Sequence, residues 1–471
     1  MNILLINPIM DEDQSAACFP LGLAYVAASL LGEGHSVQVL DFNADDTITD
    51  ETILDCIKER AIELIGLTAM ISQYKSVKRL SGFIKAHMSE LPVIIGGALV
   101  STSPEYILRN TEVDIGVLGE GELTMPALAC ALAERGELGG VEGICFMDGG
   151  EFVATSPRVY RTELDSYPMP AWDRFPVDTY LDHGTFGMDD TIRSMDIISS
   201  RGCPYRCTYC CHGLFGYKFR ARSPESILSE MVELNRRYGT TGFIFRDDLF
   251  VLDKERVLEF CELLIMGGHN FKWACNGRSN LADEKVLIRM RSAGCIMVGY
   301  GVESGSEEML VTLNKKQSLQ GVRDAIRKTW DAGIIPRAYF MMGLPGETAK
   351  AFGETVELCK EIGIFNDFLI FTPIPGTELF DRAVREGLIQ GEGDIIENWS
   401  SWKEDVLVNM SKIPTGELLE KKLSAEKEIH EYILKNHRAL ILKKFFIYLR
   451  QFGIRLTLSR SLRWVQERRG G

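Results

Sequence analysis

The chain has 471 residues, with 52 Lys and Arg against 66 Asp and Glu, a formal net charge of −14, and 45% apolar against 25% charged residues. Such a composition is ordinary for folded protein and excludes disordered, collagenous and disulfide-miniprotein classes for the chain as a whole. The acidic balance argues against a nucleic-acid binder acting through a basic surface, and the length predicts two to four domains of about 100–200 residues.

The opening MNILLINP lacks the basic and apolar stretches of a signal peptide. No run reaches the ~18–20 apolar residues of a membrane span, so the expected compartment is the cytoplasm, where thiols stay reduced. Over residues 1–135, apolar runs at 2–7, 36–42, 64–70, 92–96 and 113–118 alternate with helical patterns such as 21–32 and 72–89. Continuous apolar strands separated by helices predict a parallel sheet covered on both faces. The expectation is a doubly wound, flavodoxin-like domain with its ligand site at the carboxyl ends of the strands. Residues 136–190 hold Gly-Gly pairs at 139–140 and 149–150 and four prolines, Pro157, Pro168, Pro170 and Pro176. They predict a short β-hairpin followed by an extended linker.

A second alternating series occupies 191–390. Strands are predicted at 194–200, 242–246, 270–275, 296–301, 336–342 and 366–372, followed by helical patterns at 223–238, 253–267, 283–293, 306–332, 348–362 and 376–387. Six such units are two short of a closed eight-fold barrel. The expectation is a partial (β/α)6 TIM-type barrel with an open side and its chemistry on the loops after the strands. Residues 391–471 read as a small helical region. The last 40 residues hold ten Lys and Arg and one Glu, a net +9 that leaves −23 on the first 431. Stretches such as ILKKFFIYLRQFGIRL fit an amphipathic helix against a membrane surface, an acidic partner or the acidic body of this chain, and equally a solvated helix.

Of the 12 cysteines, four fall within nine residues (Cys203, Cys207, Cys210, Cys211) and eight are scattered. In a reducing compartment such a cluster points to a metal or catalytic site rather than a disulfide. Cys203-Pro-Tyr-Arg-Cys207-Thr-Tyr-Cys210 has the spacing C-x3-C-x2-C. Three thiolates on one loop can converge on a soft metal, one fewer than the four that close a structural zinc site or a fully protein-ligated cluster. An iron–sulfur cluster with an open coordination position and a zinc site completed by Cys211 or His212 both match the spacing. The motif's position, after the first strand of the barrel series, favours the catalytic alternative. Cys275 and Cys295 read as small core residues.

The other strand ends are punctuated by Arg246-Asp247-Asp248, Asn276-Gly-Arg278, Gly301-Val-Glu303-Ser-Gly305, Gly343-Leu-Pro-Gly-Glu347 and Thr372-Pro-Ile-Pro-Gly376. Acidic residues there can hold an ammonium or ribose hydroxyls, and glycines allow close backbone approach. Each acidic or seryl position would equally serve as a helix N-cap.

CPYRCTYC resembles the signature of the radical S-adenosylmethionine (SAM) enzymes, C-x3-C-x-aromatic-C with Tyr209 as the aromatic, and the resemblance extends over residues 194–390. It implies a [4Fe–4S] cluster on Cys203, Cys207 and Cys210. SAM would chelate the open iron and be cleaved reductively to methionine and a 5′-deoxyadenosyl radical. The resemblance also implies SAM contacts from Glu303 and the Gly301–Gly305 loop, from Asp247 or Asp248, and from Arg278 and Gly343. Cys211 would be a neighbour of the cluster and His212 a loop histidine.

A doubly wound domain ahead of such a barrel is similar to the cobalamin-binding subfamily, with echoes at Pro20–Tyr25, Gly66–Met70 (Thr68 within it), Gly96-Gly97 and Gly119-Glu-Gly-Glu122. Tight βα turns would use the same glycines. The D-x-H-x-x-G motif of many cobalamin domains is absent, since His35 and His87 lie in other contexts. The subfamily then implies cobalamin without a protein imidazole ligand. Together these resemblances imply a cobalamin-dependent radical SAM methyltransferase acting on an unactivated carbon of a small-molecule or lipid-like substrate. An electron donor such as flavodoxin or ferredoxin is expected, nucleic acid is not, and the basic tail allows weak peripheral membrane contact. Substrate contacts are expected from 136–190, the barrel mouth and the region after 390, including Trp399 and Trp402. The alternatives are cyclisation, rearrangement or oxidation without net methylation, and a non-catalytic cobalamin- or metal-binding sensor.

Overall fold

The computed structural model describes residues 1–10, 18–182, 192–364, 367–400 and 405–450. Five parallel strands, β1 (Asn2–Asn7), β2 (Ser36–Asp41), β3 (Leu64–Thr68), β4 (Val93–Gly96) and β5 (Ile115–Val117), lie in the order β2-β1-β3-β4-β5. This is the flavodoxin-like order. Leu4, Ile6, Ile65, Leu67, Val93 and Ile95 pack in one apolar layer, and Ile3, Leu5, Leu64, Ile94 and Ile115 in another. Burial on both faces is why the strands read as unbroken apolar runs. Each buried Leu or Ile contributes about 1.5–3 kcal/mol against about 1–2 kcal/mol of backbone entropy per ordered residue.

The hairpin expected in the linker belongs to this sheet instead. Its strands β6 (Ile144–Asp148) and β7 (Glu151–Ala154) extend the order to seven, β6 pairing antiparallel with β5. Gly149 and Gly150, at φ +55° and +90°, make the two-residue turn whose positive φ values glycine adopts without strain. The following segment is no loose connection: Leu164, Trp172, Phe175 and Tyr180 are buried in the core.

The second sheet begins at β8 (Ser194–Ile197). A short antiparallel ribbon follows, β9 (Ser200–Arg201) with β10 (Arg220–Ala221), and then β11 (Gly242–Phe245), β12 (Lys272–Gly277), β13 (Cys295–Glu303), β14 (Ile335–Met342) and β15 (Phe368–Ile370). Six strands pair in parallel in the order β8-β11-β12-β13-β14-β15, so β8 and β15 are edges and the barrel is open between them. Alternate residues face the outer helices: Phe243, Phe245, Trp273, Val298, Tyr300, Ala338 and Phe340 join the main core. Phe245 makes edge contacts with Phe260 and Trp273 at 5.7 and 5.6 Å. The intervening positions, among them Asn276, Gly299, Gly301, Arg337 and Tyr339, face the barrel interior.

The helix expected at 306–332 is two helices, Glu307–Thr312 and Leu319–Asp331. Between them Asn314 and Lys316 take φ of +49° and +52°, and the Ser318 side chain accepts from the Gly321 N–H to start the second helix. The amphipathic period continues across the gap, but the polar run 314–318 favours local hydrogen bonds over helix. The C-terminal helix Thr415–Asn436 packs beside the helix Ala349–Ile362, where Lys360 reaches Glu428 at 2.6 Å. Further on, Lys443 pairs with Asp331 at 3.2 Å. Lys443 of the basic tail thus meets an acidic residue of the chain's own surface, and the tail beyond residue 450 lies outside the described residues. Among the described residues no helix is long and apolar enough to cross a membrane. Trp399 is buried, and Trp402 lies outside the described residues.

Candidate active site

The cysteine loop is fixed at both ends. At its start, Asp247 accepts from the Ser199 N–H (2.7 Å) and from the Ser199 and Ser200 hydroxyls (2.5 and 2.6 Å). Gly202 has φ +83°, and a Cβ there would stand 2.3 Å from the Lys218 carbonyl oxygen, so the turn into Cys203 admits only glycine. Farther along, the Thr208 N–H donates to the Leu313 carbonyl and the Thr208 carbonyl accepts from Leu379, both at 3.1 Å. Asn314 donates to the Arg206 carbonyl at 2.6 Å. The break between the two helices thus buttresses the loop.

Four side chains converge on the loop's inner side. Tyr209 donates to Glu303 Oε1 at 2.8 Å, and Lys315 Nζ reaches both, at 2.7 and 2.6 Å. Glu303 holds φ +71° at a register shift in β13, an uncommon state for a non-glycine residue that aims its carboxylate inward. Arg278 lies 3.8 Å over the Tyr205 ring and donates to Cys207 Sγ at 3.3 Å. Its Nε and Nη2 are buried with no partner among the described residues. The hydrogen bond shared with Cys210, helped by the Lys315 and Arg278 charges against the opposing effect of burial, lowers the Cys207 thiol from its ordinary value. The thiolate is the ligating form. Cys207 is buried, Cys203 half-buried and Cys210 exposed. Cys211 Sγ accepts from the Gly213 N–H at 3.4 Å, and His212 stacks on Tyr217 at 4.2 Å. Among the described residues no three His, Cys, Asp or Glu side chains are already gathered to hold a metal ion.

The other expected residues are placed as follows. Asp247 anchors the loop base and Asp248 is exposed. Gly343, at φ +79°, donates its N–H to Glu347 (2.8 Å), and a Cβ there would meet Leu418 at 3.7 Å. Thr68 and Gly96 are paired neighbours at the carboxyl ends of β3 and β4. Gly97 follows at φ +96°, where a Cβ would meet the Ala69 carbonyl oxygen at 2.7 Å. Lys315 carried no motif, and its only signal was the polar interruption of a helical period.

Gly119-Glu-Gly-Glu122 joins the two units. Arg201, two residues before Cys203, is buried between Glu120 (3.2 Å) and Glu122, and Arg220 pairs with Glu120 as well. The rings of Tyr25, Tyr167 and Phe215 lie 5.2–5.4 Å from the Arg201 guanidinium. The carboxyl edges of the two sheets face each other beyond this network. Added Cβ atoms on Gly213 and Gly376 would lie 3.5 and 3.4 Å from the Thr102 side chain, which ends the helix after β4.

A family model described as B12 binding domain matches residues 15–129, and one described as radical SAM superfamily matches residues 197–359. An uncharacterized methyltransferase of Pyrococcus horikoshii is 32% identical over 387 residues, covering 81% of each chain. The chain belongs to the radical SAM enzymes that carry a B12-binding domain. The anaerobic magnesium-protoporphyrin IX monomethyl ester cyclase of Rubrivivax gelatinosus is 25% identical over 461 residues, covering 95% of this chain and 78% of its own. The radical S-adenosylmethionine methyltransferase TsrM of Kitasatospora setae, solved with cobalamin and a [4Fe–4S] cluster bound, has the same fold. It superposes with a TM-score of 0.70 at 19% identity, covering 82% of this chain and 75% of that one.

The cofactors of this radical SAM enzyme are a [4Fe–4S] cluster, SAM and cobalamin, and the residues present fit them. Three thiols share one loop, the spacing a three-thiolate cluster site needs, and of the three Cys207 has the lowered thiol, with Arg278 and Lys315 beside it. Arg278 offers a buried, unsatisfied guanidinium edge. Gly301 keeps open a slot that a Cβ would fill, 2.5 Å from Glu303 Oε1 and 2.9 Å from Lys315 Nζ.

Proposed function

We propose that this enzyme is a cobalamin-dependent methyltransferase that alkylates an unactivated carbon of a small molecule. The observation that carries the proposal is the facing of the two carboxyl edges, with Thr102 of the first unit against Gly213 and Gly376 of the second. When bound, the cluster with SAM supplies a carbon-centred radical and cobalamin a transferable methyl group. The two must share one enclosed space with the substrate, because a radical left in reach of water or buffer is lost.

Cys203, Cys207 and Cys210 would hold the cluster, with Arg278 and Lys315 beside the thiolates. Glu303, Tyr209 and the Gly301 slot would orient the SAM amino acid and ribose, with Asp248 at the rim. Thr68, Gly96 and Gly97 would offer backbone to the corrin or its nucleotide tail. The Glu120, Glu122, Arg201 and Arg220 network would fix the distance between the two edges. Electrons would come from a donor such as flavodoxin or ferredoxin in the cytoplasm.

The experiment is anaerobic reconstitution followed by mass analysis of product and nucleoside. Methyl transfer predicts a substrate gaining one methyl mass together with 5′-deoxyadenosine, and Cys207→Ala predicts neither. Stoichiometric zinc and no 5′-deoxyadenosine would contradict the radical reading. The cyclase relative that spans 95% of this chain favours a second reading, ring closure without net methylation. A product lacking the methyl mass would support that one.

A further inference from the structure

Two buried cations stand beside Cys207, and the chain uses them differently. The Lys315 ammonium is taken up by its neighbours, reaching Glu303 Oε1 at 2.6 Å and the Tyr209 hydroxyl at 2.7 Å. The Arg278 guanidinium turns to sulfur instead, and Nη1 donates to Cys207 Sγ at 3.3 Å. Arg278 is 4% exposed. Its Nε and Nη2 are buried with no hydrogen-bond partner among the described residues. Donor capacity thus remains on the one group that already touches a ligand sulfur.

The turn that carries Arg278 is fixed from two sides. β12 ends at Gly277, and the Leu281 N–H donates back to the Arg278 carbonyl at 3.0 Å. Ser279 donates to Gln317 Oε1 at 3.0 Å, and Gln317 donates to the Val302 carbonyl at 3.0 Å, next to Glu303. On the other side the guanidinium lies 3.8 Å over the Tyr205 ring, and Asn280 donates to the Tyr205 hydroxyl at 3.0 Å. Tyr205 stands in the cysteine loop between Cys203 and Cys207. The donor is in place before any ligand arrives, and a preorganised donor needs no rearrangement when negative charge develops beside it.

Reduction of an iron–sulfur cluster adds one electron to the cluster and its thiolates, with no bond made or broken. A hydrogen bond to a ligand sulfur favours the more negative state and so raises the reduction potential. Arginine stays protonated at any working pH, so this donor is permanent. We infer that Arg278 sets the reduction potential of the cluster, as a positioning residue acting through Cys207 Sγ, and makes the cluster easier for a one-electron donor to reduce. This role rests on the cluster reading of the proposed function and adds the energy of the electron-transfer step to it.

The test is a redox titration of the full chain, reconstituted anaerobically with iron and sulfide and with no SAM added. Wild type, R278Q, R278K, Y205L and the exposed control R327Q are compared, each with iron content, cluster absorbance and a melting curve. Electron paramagnetic resonance reads the reduced cluster at potentials poised with dithionite and mediators. R278Q is expected to be about ten-fold or more harder to reduce at a given potential, a midpoint lower by about 59 mV or more for one electron. R278K keeps the charge without the planar fork, and Y205L keeps the arginine without its stacking ring. Both should fall between, and R327Q should match wild type. A purely structural residue would lower cluster content and leave the midpoint of the clusters that form unchanged. That result, or a midpoint that rises in R278Q, overturns the inference. Should R278Q assemble no cluster, R278K and Y205L decide, and midpoints equal to wild type in both overturn it. A wild-type chain that assembles no four-iron cluster overturns the proposed function and this role together. A cluster whose midpoint ignores residue 278 overturns this role alone.

Discussion

The two carboxyl edges are built from the same βα unit and treat their polar side chains in opposite ways. On the first sheet they satisfy one another. Asn7 donates to Asp41 (2.8 Å), Tyr180 donates to the other Asp41 oxygen (2.6 Å), and Gln73 and Asn43 both donate to the Pro8 carbonyl (2.7 and 2.8 Å). Burial pushes the Asp41 carboxyl up, and what this edge leaves for a ligand is backbone at Gly96 and the small side chain of Thr68. On the barrel edge the groups keep capacity: among the described residues Arg278 has two buried nitrogens without a hydrogen-bond partner and Glu347 one such oxygen. The difference teaches how each edge would treat its cofactor. A large cofactor that brings its own chemistry needs a shaped, quiet surface. A cluster and a zwitterion need charges held in fixed positions at a desolvation cost.

The sharpest way to break this contrast is Cys207→Ala. Cluster absorbance and 5′-deoxyadenosine formation should fall to background, while cobalamin retention on the quiet edge stays unchanged, as read by absorbance of the anaerobic protein. Loss of corrinoid as well would mean that the edges are not independent.

Next in size is the joint between them. Glu120→Ala leaves Arg201 and Arg220 short of a buried counter-charge, and removing one partner of such a pair costs about 3–5 kcal/mol. Denaturant unfolding should show that loss, and Glu120→Gln, which keeps hydrogen-bonding oxygen, should lose less.

Glu347 tests the strained character of the barrel edge through pH. It is fully buried, its Oε2 accepts from the Gly343 and Leu344 N–H groups at 2.8 and 3.3 Å, and burial raises its carboxyl from 4.5 to about 7. The folded chain keeps this proton to higher pH than the unfolded chain. Its stability contribution is therefore full below about pH 4.5 and is lost as pH rises through about 7, a fall of roughly 3 kcal/mol. The stability difference between wild type and Glu347→Gln across pH 4.5–8 should show that slope, and a flat difference would contradict it.

The smallest expected effect is Gly301→Ala. Its Cβ would press on Glu303 and Lys315, and overpacking of this kind costs about 1–3 kcal/mol. SAM affinity by dialysis should weaken accordingly, with cluster absorbance retained.

Much of this was legible in the sequence, for physical reasons. Strands buried on both faces are continuous apolar runs, so all eleven expected parallel strands appear. The cysteine loop declares itself because metal-ligand spacing is local. Tyr209 and Glu303, singled out separately, meet at 2.8 Å because each stands at a strand end of one barrel. Long-range pairing was hidden. Glu120 and Glu122 echoed a cofactor loop, and their true partners, Arg201 and Arg220, lie 79 or more residues away. Lys315 was hidden inside a predicted helix, because the period of 306–332 continues across a break fixed by two positive-φ residues. Cys275 and Cys295 are buried as their apolar strand context implied. Asp247 has the spacing of a ligand contact but serves the loop's own serines, which only coordinates distinguish.

The most direct test of the facing edges is pulsed electron paramagnetic resonance on the full chain with its cluster reduced and cob(II)alamin bound. Two centres in one shared cavity predict dipolar coupling that broadens both signals and disappears in Cys207→Ala. A spectrum equal to the plain sum of an isolated cluster and an isolated corrinoid would contradict a common site between the two sheets.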